Sequence, residues 1–474
     1  MNARFYASRP LGDVAPDRLL DVPWSAAGRS FFEAPGGLAV AGLGEASAVE
    51  SAGPDRIAEL ERASQALLAS LQPVDVDAVE PVLVGGFSFA EEAARRGPWV
   101  GWPVARLVLP EIALVAKDGD AALVAVAPAG MAEDAANSWL DAALTRAARA
   151  LAAVRPTPEE SEVGAPTAAA WGFVAGAAND GGPTLSAQGA SAGGLGLVGP
   201  APRPVTLADP YEDLVADGLA AIGGGRLRKV TLARSRRYGR VRRTEPRAVL
   251  AAFARHYPRC FRFWIEPAGR SAFAGVSPER LVARRGDTLR ADALAGTVGR
   301  APEPAQDANL GALLLANNKE RREHEAVVDF LRERLGRFAT AIDAAAVPGL
   351  LKLANVQHLH TPFEAALTDD APGILGLAAQ VHPTPAVAGV PADEATRWIA
   401  DHEGLERGWY SGGVGVVQRS GDGELCVAIR SGLFEDDALW LFAGAGIVSG
   451  SDPAREAREV EQKMRALRDL LVEG

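Results

Sequence analysis

The feature that most constrains the fold is a series of short apolar runs, separated by turn residues, in both halves of the chain. In the first half, such runs occupy residues 81–89, 105–110 and 121–127. In the second half, they occupy residues 229–234, 260–266, 271–276, 281–284, 412–418, 425–429 and 439–443. Apolar runs of this length between turn residues are typical of β-strands. The chain is therefore predicted to be rich in β-sheet.

Helices are predicted between and beside these strands, because apolar residues recur there at spacings of three and four. The predicted helical segments are residues 56–71, 132–154, 211–222, 308–338 and 453–472. Many strands joined by turns, with helices placed between groups of them, indicate an α+β fold with largely antiparallel sheets.

The length of 474 residues allows two or three ordinary domains, or one large mixed fold. Two segments rich in turn-forming and small residues, 156–166 and 181–204, are predicted to be connectors. They divide the chain into a predicted N-terminal α+β part, residues 1–204, and a predicted catalytic part, residues 205–474.

Composition excludes several functional classes. The net charge of −11 disfavours nucleic-acid binding, which requires clustered cations, and the basic run at residues 234–243 is interpreted as solvated surface. The two cysteines, Cys260 and Cys426, are too few for a disulfide framework and are expected to be buried. No segment approaches the about 20 apolar residues of a membrane span or resembles a signal peptide. We expect a cytoplasmic monomer without nucleic-acid or membrane partners.

Two predicted helices carry carboxylates three residues apart. Glu320 and Glu323 share one helix face, and Glu456 and Glu459 share another. Such pairs are most often solvated surface with ion pairs. Here, small residues at 442–451 precede the second helix and indicate close backbone approach at a pocket. Two helices that present carboxylates to a shared space can hold one Mg²⁺, which prefers oxygen ligands.

A dinucleotide-binding interpretation of residues 444–450 does not fit. A strand, a Gly-x-Gly turn and a helix are predicted there, but the spacing is Gly-x-Gly-x-x-x-Gly. No predicted strand follows to supply the acidic ribose ligand about 20 residues further on.

Seven segments, in this order, resemble the chorismate-utilising enzymes, which include isochorismate, salicylate, anthranilate and aminodeoxychorismate synthases. They are residues 228–234 (RKVTLAR), 275–281 (GVSPERL), 294–297 (LAGT), 381–387 (VHPTPAV), 406–412 (ERGWYSG), 427–431 (VAIRS) and 443–453 (AGAGIVSGSDP). The resemblance covers about residues 205–471, with a fainter match at residues 85–89 (GGFSF). It implies a single catalytic body in which large antiparallel sheets pack as a sandwich with helices around them.

The resemblance also implies a reaction and a catalytic pair. Lys229 matches the general base that activates water, and Glu279 matches the general acid for the departing C4 hydroxyl of chorismate. Water attack at C2 with loss of hydroxide from C4 requires a base and an acid on opposite sides of the ring. Lys229 must then be largely neutral, while Glu279 must stay protonated, which burial favours.

Further positions match the family's ligand contacts. Glu323 and Glu459 match the Mg²⁺ ligands, and Glu320 and Glu456 resemble acids that bind or orient metal-bound water. The positions that match substrate contacts are Thr297, His358, Tyr410, Arg430, Gly444, Gly446 and Lys463. The planar guanidinium of Arg430 suits a carboxylate, to which it can donate two hydrogen bonds.

Two positions favour water as the nucleophile. Lys229 stands where anthranilate-type members resemble one another in having Gln, and Ala295 stands where aminodeoxychorismate synthases place a nucleophilic lysine. Residues 382–387 and 408–413 look more like isochorismate synthases than salicylate synthases, which also eliminate pyruvate. Isochorismate synthase is the favoured interpretation, for either menaquinone or siderophore synthesis, and salicylate synthase is the alternative. A non-catalytic anion-binding relative is less favoured, because it is expected to lack a catalytic or metal-binding residue.

Overall fold

The computed structural model describes residues 4–12, 14–24, 28–154, 197–198, 210–240, 245–353 and 356–473. The predicted connectors at residues 156–166 and 181–204 lie outside the described residues, except for the two-residue strand at 197–198.

The strands are β1 Arg4–Pro10, β2 Arg29–Glu33, β3 Ala39–Leu43, β4 Ser47–Ser51, β5 Leu71–Pro73, β6 Leu83–Phe87, β7 Ala105–Leu109, β8 Ile112–Lys117, β9 Asp120–Val126, β10 Leu197–Val198, β11 Lys229–Arg240, β12 Phe261–Glu266, β13 Ala272–Ser277, β14 Arg280–Arg285, β15 Thr288–Gly299, β16 Ala339–Ala344, β17 Gly349–Lys352, β18 Val356–Leu367, β19 Gly389–Val390, β20 Gly413–Val417, β21 Gly423–Val427, β22 Ser431–Phe434 and β23 Ala438–Val448. The helices are α1 Arg56–Ala69, α2 Glu133–Ala153, α3 Pro210–Gly223, α4 Pro246–His256, α5 Pro304–Ala316, α6 Asn318–Leu335, α7 Ile374–Val381, α8 Ala392–His402 and α9 Pro453–Glu473.

The strands form two large sheets. The first has thirteen strands in the order β10-β11-β23-β22-β13-β12-β2-β3-β8-β9-β1-β5, and β19 also pairs with β11. The second has ten strands in the order β16-β18-β15-β14-β21-β20-β6-β7-β4, and β17 also pairs with β18. Only β1 and β5 pair in parallel among the strand pairs of the described residues. The predicted α+β fold with largely antiparallel sheets is confirmed.

Both sheets take strands from both parts of the chain. In the first sheet, β12 of the C-terminal part pairs with β2 of the N-terminal part. In the second sheet, β20 pairs with β6 in the same way. The division of the chain into two parts at residue 204 stays a prediction. Hydrogen bonds between strands of the two parts occur in each sheet.

The two sheets pack face to face over an aromatic interior. Phe32 of the first sheet and Val414 of the second belong to one buried cluster, together with Trp99 and Trp409. Side chains alternate between the two faces of a strand, so Phe31, the neighbour of Phe32, belongs instead to the other buried cluster, which includes residues of the helices. The sandwich that the resemblance implied is therefore present.

The long helix predicted at residues 308–338 is wrong, because two helices occupy this segment. Asn317 has an extended backbone, with φ −75° and ψ 108°, and ends α5. Its side-chain oxygen accepts hydrogen bonds from the backbone N–H groups of Lys319 and Glu320, so it caps the start of α6. The break matters for the site because it sets where the first turn of α6 begins.

The positions of four helices and the burial of both cysteines, expected from the sequence, are confirmed. Helices α1, α2, α3 and α9 lie where the apolar spacing predicted them. Cys260 and Cys426 are buried and not disulfide-bonded. Within the described part of the chain, no helix is both long enough and apolar enough to cross a membrane.

Candidate active site

A cavity of about 250 Å³ lies where β11, β15 and β23 meet the first turns of α6 and α9. We call it the active-site cavity. Helix α6 packs on β15, and α9 packs on β23, so each helix presents its acidic turn to the same space. All thirteen site residues predicted from the sequence line this cavity: Lys229, Glu279, Thr297, Glu320, Glu323, His358, Tyr410, Arg430, Gly444, Gly446, Glu456, Glu459 and Lys463.

Lys229 begins β11 and is 4% exposed. Its Nζ donates to Glu323 Oε1 at 2.6 Å. Gly446 of the neighbouring strand makes room for this pair, because a Cβ there would lie 2.9 Å from Lys229 Cε and 3.0 Å from Glu323 Oε1. The sequence predicted that Lys229 faces Glu279 and did not predict this ion pair. The neutral lysine that water activation requires stays a prediction.

Glu279 lies between β13 and β14 and is 3% exposed. Its Oε1 has no hydrogen-bond partner among the described residues. Burial, and then the negative charge of Asp292, raise the pKa of Glu279 to about 8, although the nearby Lys229 acts in the opposite direction. A carboxyl group with this pKa is protonated at neutral pH, which is the state that a general acid requires.

Two irregularities in the strands border the cavity. The pairing of β14 with β21 shifts register between Arg280 and Val282, directly after Glu279. The pairing of β15 with β18 shifts between Ala295 and Thr297. Bulges of this kind redirect side chains and are common beside active sites. Both lie in or beside the quoted motifs, but no sequence pattern indicated their geometry.

The carboxylates of α6 and α9 affect one another. Burial and the charge of Glu323 raise the pKa of Glu320, and burial and the charge of Glu459 raise the pKa of Glu456. In the part of the chain that the structure describes, no three ligating side chains are grouped tightly enough to form a ready metal site. The donors are nonetheless all carboxylate oxygens on two facing helix turns. A divalent cation would offset both their burial and their repulsion, so the residues fit such an ion.

Glu459 is also held by Lys463, one turn further along α9. The two side chains form an ion pair of 2.8 Å, and the charge of Lys463 lowers the pKa of Glu459. The same Lys463 Nζ donates to the backbone carbonyl of Gly444 at 2.9 Å. Lys463 therefore ties α9 to β23 at the cavity wall.

Three predicted substrate contacts form a hydrogen-bonded chain. Arg430 Nη2 lies 3.1 Å from His358 Nε2, and His358 Nδ1 lies 2.9 Å from Thr297 Oγ1. Because arginine can only donate, His358 Nε2 accepts and Nδ1–H donates to Thr297. Burial and the charge of Arg430 hold the pKa of His358 well below its usual value. His358 is therefore a neutral group that orients Arg430.

Arg430 has a second nitrogen available at this wall. It adopts a positive φ of 49°, which is uncommon for a residue other than glycine. Its Nη1 is buried and has no hydrogen-bond partner among the residues described. A buried guanidinium N–H without a partner is costly, so this atom is suited to an anionic ligand.

Tyr410 forms another part of the wall with Phe442 and Gly444. Its ring stacks on Phe442 with centroids 5.4 Å apart. Burial raises its pKa to about 12, so its hydroxyl stays protonated. A Cβ on Gly444 would lie 2.7 Å from Leu232 O and 3.3 Å from the Tyr410 hydroxyl, so only glycine fits there.

A buried ion pair behind this wall was not predicted from the sequence. Arg407 Nη2 donates to Glu403 Oε2 at 2.6 Å, and the two side chains are 2% and 0% exposed. Arg407 also donates to the backbone carbonyls of Thr231 and Val387, both of which line the cavity. Arg407 lies in a quoted motif, but no local pattern identifies its partner. The cavity-lining cations Lys319 and Arg455 were also missed.

Comparisons with known proteins agree with this geometry. The family model described as chorismate binding enzyme matches residues 9–169 and 203–472. The chain is 41% identical over 263 residues to the salicylate biosynthesis isochorismate synthase of Pseudomonas aeruginosa, covering 55% of this chain and 54% of that protein. It is 38% identical over 261 residues to isochorismate synthase MenF of Escherichia coli, covering 55% of this chain and 60% of that protein. The matches thus span 54% and 60% of these relatives' own lengths.

A solved structure extends the likeness over almost the whole chain. The structure of MenF, the menaquinone-specific isochorismate synthase from Escherichia coli, has a TM-score of 0.74 and 26% sequence identity to this chain. The match covers 99% of this chain and 95% of that one. The similarity in fold therefore includes the N-terminal part, where the sequence resemblance was faint.

Proposed function

The chain belongs to the family of chorismate-binding enzymes, and on that premise we propose that it is an isochorismate synthase. It converts chorismate to isochorismate by attack of water at C2 and loss of the C4 hydroxyl. The observation that carries the proposal is the pairing of a buried lysine with a buried, protonated glutamic acid in one cavity.

Lys229 and Glu279 divide the proton transfers. Lys229 takes a proton from the attacking water, and Glu279 donates its proton to the departing C4 oxygen, which leaves as water. The burial of Glu279 and the absence of a hydrogen-bond partner for its Oε1 within the described ranges support the acid role. Lys229 takes up one proton and Glu279 releases one proton, so the total charge of the substrate does not change in the reaction.

Glu323 and Glu459 are the proposed ligands of a Mg²⁺ ion, with Glu320 and Glu456 orienting its bound waters. The bound ion supplies positive charge for the ring carboxylate of chorismate. The pKa values of Glu320 and Glu456, which burial and neighbouring carboxylates raise, support this assignment. Glu323 also accepts a hydrogen bond from Lys229, so it would serve both the metal and the proposed base.

Arg430 and Lys463 are the proposed cations for the second carboxylate of the substrate. The unpartnered Arg430 Nη1 supports this role, since it lies on the cavity wall and its orientation is set by His358. Thr297 and Tyr410 complete the polar contacts, and Gly444 and Gly446 let the substrate approach the backbone of β23.

The activity is tested by incubating the purified chain with chorismate and Mg²⁺ and separating the products, with and without ammonium. We expect isochorismate alone. Salicylate with pyruvate would replace the proposal by the alternative reaction, and an amino product would refute water as the nucleophile.

The residue roles are tested by Lys229→Ala and Glu279→Gln, which should abolish turnover while the fold persists. Lys117→Ala is the matched control, because Lys117 is an exposed lysine at the end of β8. Substantial turnover in either catalytic variant would refute the corresponding role.

The metal assignment is tested by calorimetric titration with Mg²⁺. Glu456→Gln should weaken binding by about 10-fold to 100-fold, as expected for a residue that orients metal-bound water. Glu325→Gln is the control, because Glu325 is an exposed carboxylate on the same helix as Glu323 and pairs with Arg321. Unchanged Mg²⁺ affinity in Glu456→Gln would contradict the assignment.

A further inference from the structure

A row of charged and polar side chains crosses four neighbouring strands of the ten-stranded sheet beside Glu279. Arg280 Nε of β14 donates to Glu424 Oε1 of β21 at 2.9 Å. Arg280 Nη1 donates to Asp292 Oδ2 of β15 at 3.2 Å, and Asp292 Oδ1 lies 2.8 Å from His360 Nε2 of β18. The strand order β18-β15-β14-β21 places the four residues side by side. We call them the cross-strand row.

The row lies next to the acid but outside the active-site cavity. Glu279 lines that cavity, whereas Arg280 and Glu424 line a second cavity of about 250 Å³. Glu279 directly precedes β14, and Arg280, the first residue of that strand, donates to Asp292. None of the four residues of the row takes part in the proposed reaction.

Asp292 is fixed from both sides. One carboxylate oxygen accepts from Arg280 and the other contacts His360, and the Asp292 side chain is only 11% exposed. A carboxylate held in this way cannot turn away from its neighbours. Its negative charge opposes a second negative charge on nearby Glu279.

Charged and titratable groups face Glu279 from three strands. Lys229 of β11 favours loss of the Glu279 proton, whereas Asp292 of β15 opposes it. Cys426 of β21 is buried, and its pKa is well above the usual value, so it remains a neutral thiol. Asp292 is therefore the charged group that counteracts Lys229.

We propose that Asp292 is a positioning residue for the general acid, and that its carboxylate, held by Arg280 and His360, keeps the proton on Glu279 beside Lys229. This inference rests on the proposed function, since it assigns Glu279 as the acid. It explains how Glu279 can keep its proton in the same cavity as a lysine that acts as a base.

The test is the pH dependence of kcat/KM in Asp292→Asn. We expect its alkaline limb, where the acid loses its proton, to move to lower pH by about one unit. A merely structural role would lower the whole profile without moving this limb. Glu364→Gln is the matched control, because Glu364 also bridges β18 to β15, through Arg290 at 2.9 Å, and is 57% exposed. The control should leave the limb in place.

A second variant tests the sign of the effect and serves if Asp292→Asn does not fold. Arg280→Gln keeps Asp292 but removes its counter-charge, so the alkaline limb should move to higher pH. An unmoved limb in Asp292→Asn, or a shift in the same direction in both variants, would overturn the proposal.

A measurement without turnover separates this inference from the proposed function. Glu279→Gln is introduced into the unchanged chain and into Asp292→Asn, and urea unfolding is followed between pH 5 and pH 9. The pH-dependent part of the effect of Glu279→Gln should be smaller in the Asp292→Asn background. Equal effects would refute the coupling, whereas absence of isochorismate formation would refute only the function.

Discussion

Glu279→Gln is expected to remove a pH-dependent loss of stability. The pKa of Glu279 is about 8 in the fold, compared with 4.5 for an unperturbed glutamic acid. The folded protein therefore retains a proton that the unfolded chain has released between these two values. Because the folded state binds more protons there, the free energy of unfolding falls as the pH rises through this window.

The size of the effect follows from the two pKa values. They differ by about 3.5, and each pKa unit is worth about 1.4 kcal/mol, so the full effect is on the order of 5 kcal/mol at pH above 8. Below pH 4.5 the carboxyl group is protonated in both states, and it makes no pH-dependent contribution. A glutamine at this position does not titrate, so the variant lacks the effect at every pH.

The assay is urea unfolding of the two proteins in the presence of a chelator at pH 5, 7 and 9, followed by circular dichroism. The stability of Glu279→Gln relative to the unchanged protein should rise steadily from pH 5 to pH 9. A constant offset is expected from the exchange of a carboxyl for an amide, and only the pH-dependent part carries the test. A difference that stays the same at all three pH values would refute the assignment of a raised pKa, and with it the acid role.

Three further substitutions test the packing around the site. Gly446→Ala places a methyl group against the Lys229 side chain and should lower kcat by about 100-fold in a folded protein, as checked by circular dichroism. Glu403→Gln leaves the buried Arg407 without its carboxylate and should lower stability by about 3–5 kcal/mol in urea unfolding; an unchanged midpoint would contradict this. Asn317→Ala removes the cap of α6 and should cost about 1 kcal/mol by the same measurement.

Local patterns predicted helices well where apolar residues are regularly spaced along one face of the helix. The apolar spacing of α1 and α2 predicted both helices to within a few residues of their observed ends. The single helix predicted at residues 308–338 is wrong at Asn317, because the polar residues 317–325 interrupt the apolar spacing and the Asn317 side chain caps a new helix. A helix cap is a single local interaction that periodicity does not register.

The candidate site residues were predicted from the family resemblance and from carboxylates spaced three residues apart on helices. The quoted motifs contain seven of the thirteen predicted residues, and the structure brings all thirteen to one cavity. Their partners were not predictable in this way. Glu403 and Asp292 lie outside the quoted motifs, yet they hold Arg407 and act on Glu279.

The sequence by itself determined the α+β class, ten of the 23 strands that the structure describes and the residue types of the candidate site, because these depend on local spacing and on short motifs. The tertiary structure alone decided which strands pair, that both sheets join the two parts of the chain, and that Lys229 meets Glu323. It also decided the protonation of Glu279, since a pKa depends on burial and on charges that other strands bring near. Hydrogen bonds between distant strands and electrostatic interactions act through space, so no local pattern in the chain encodes them.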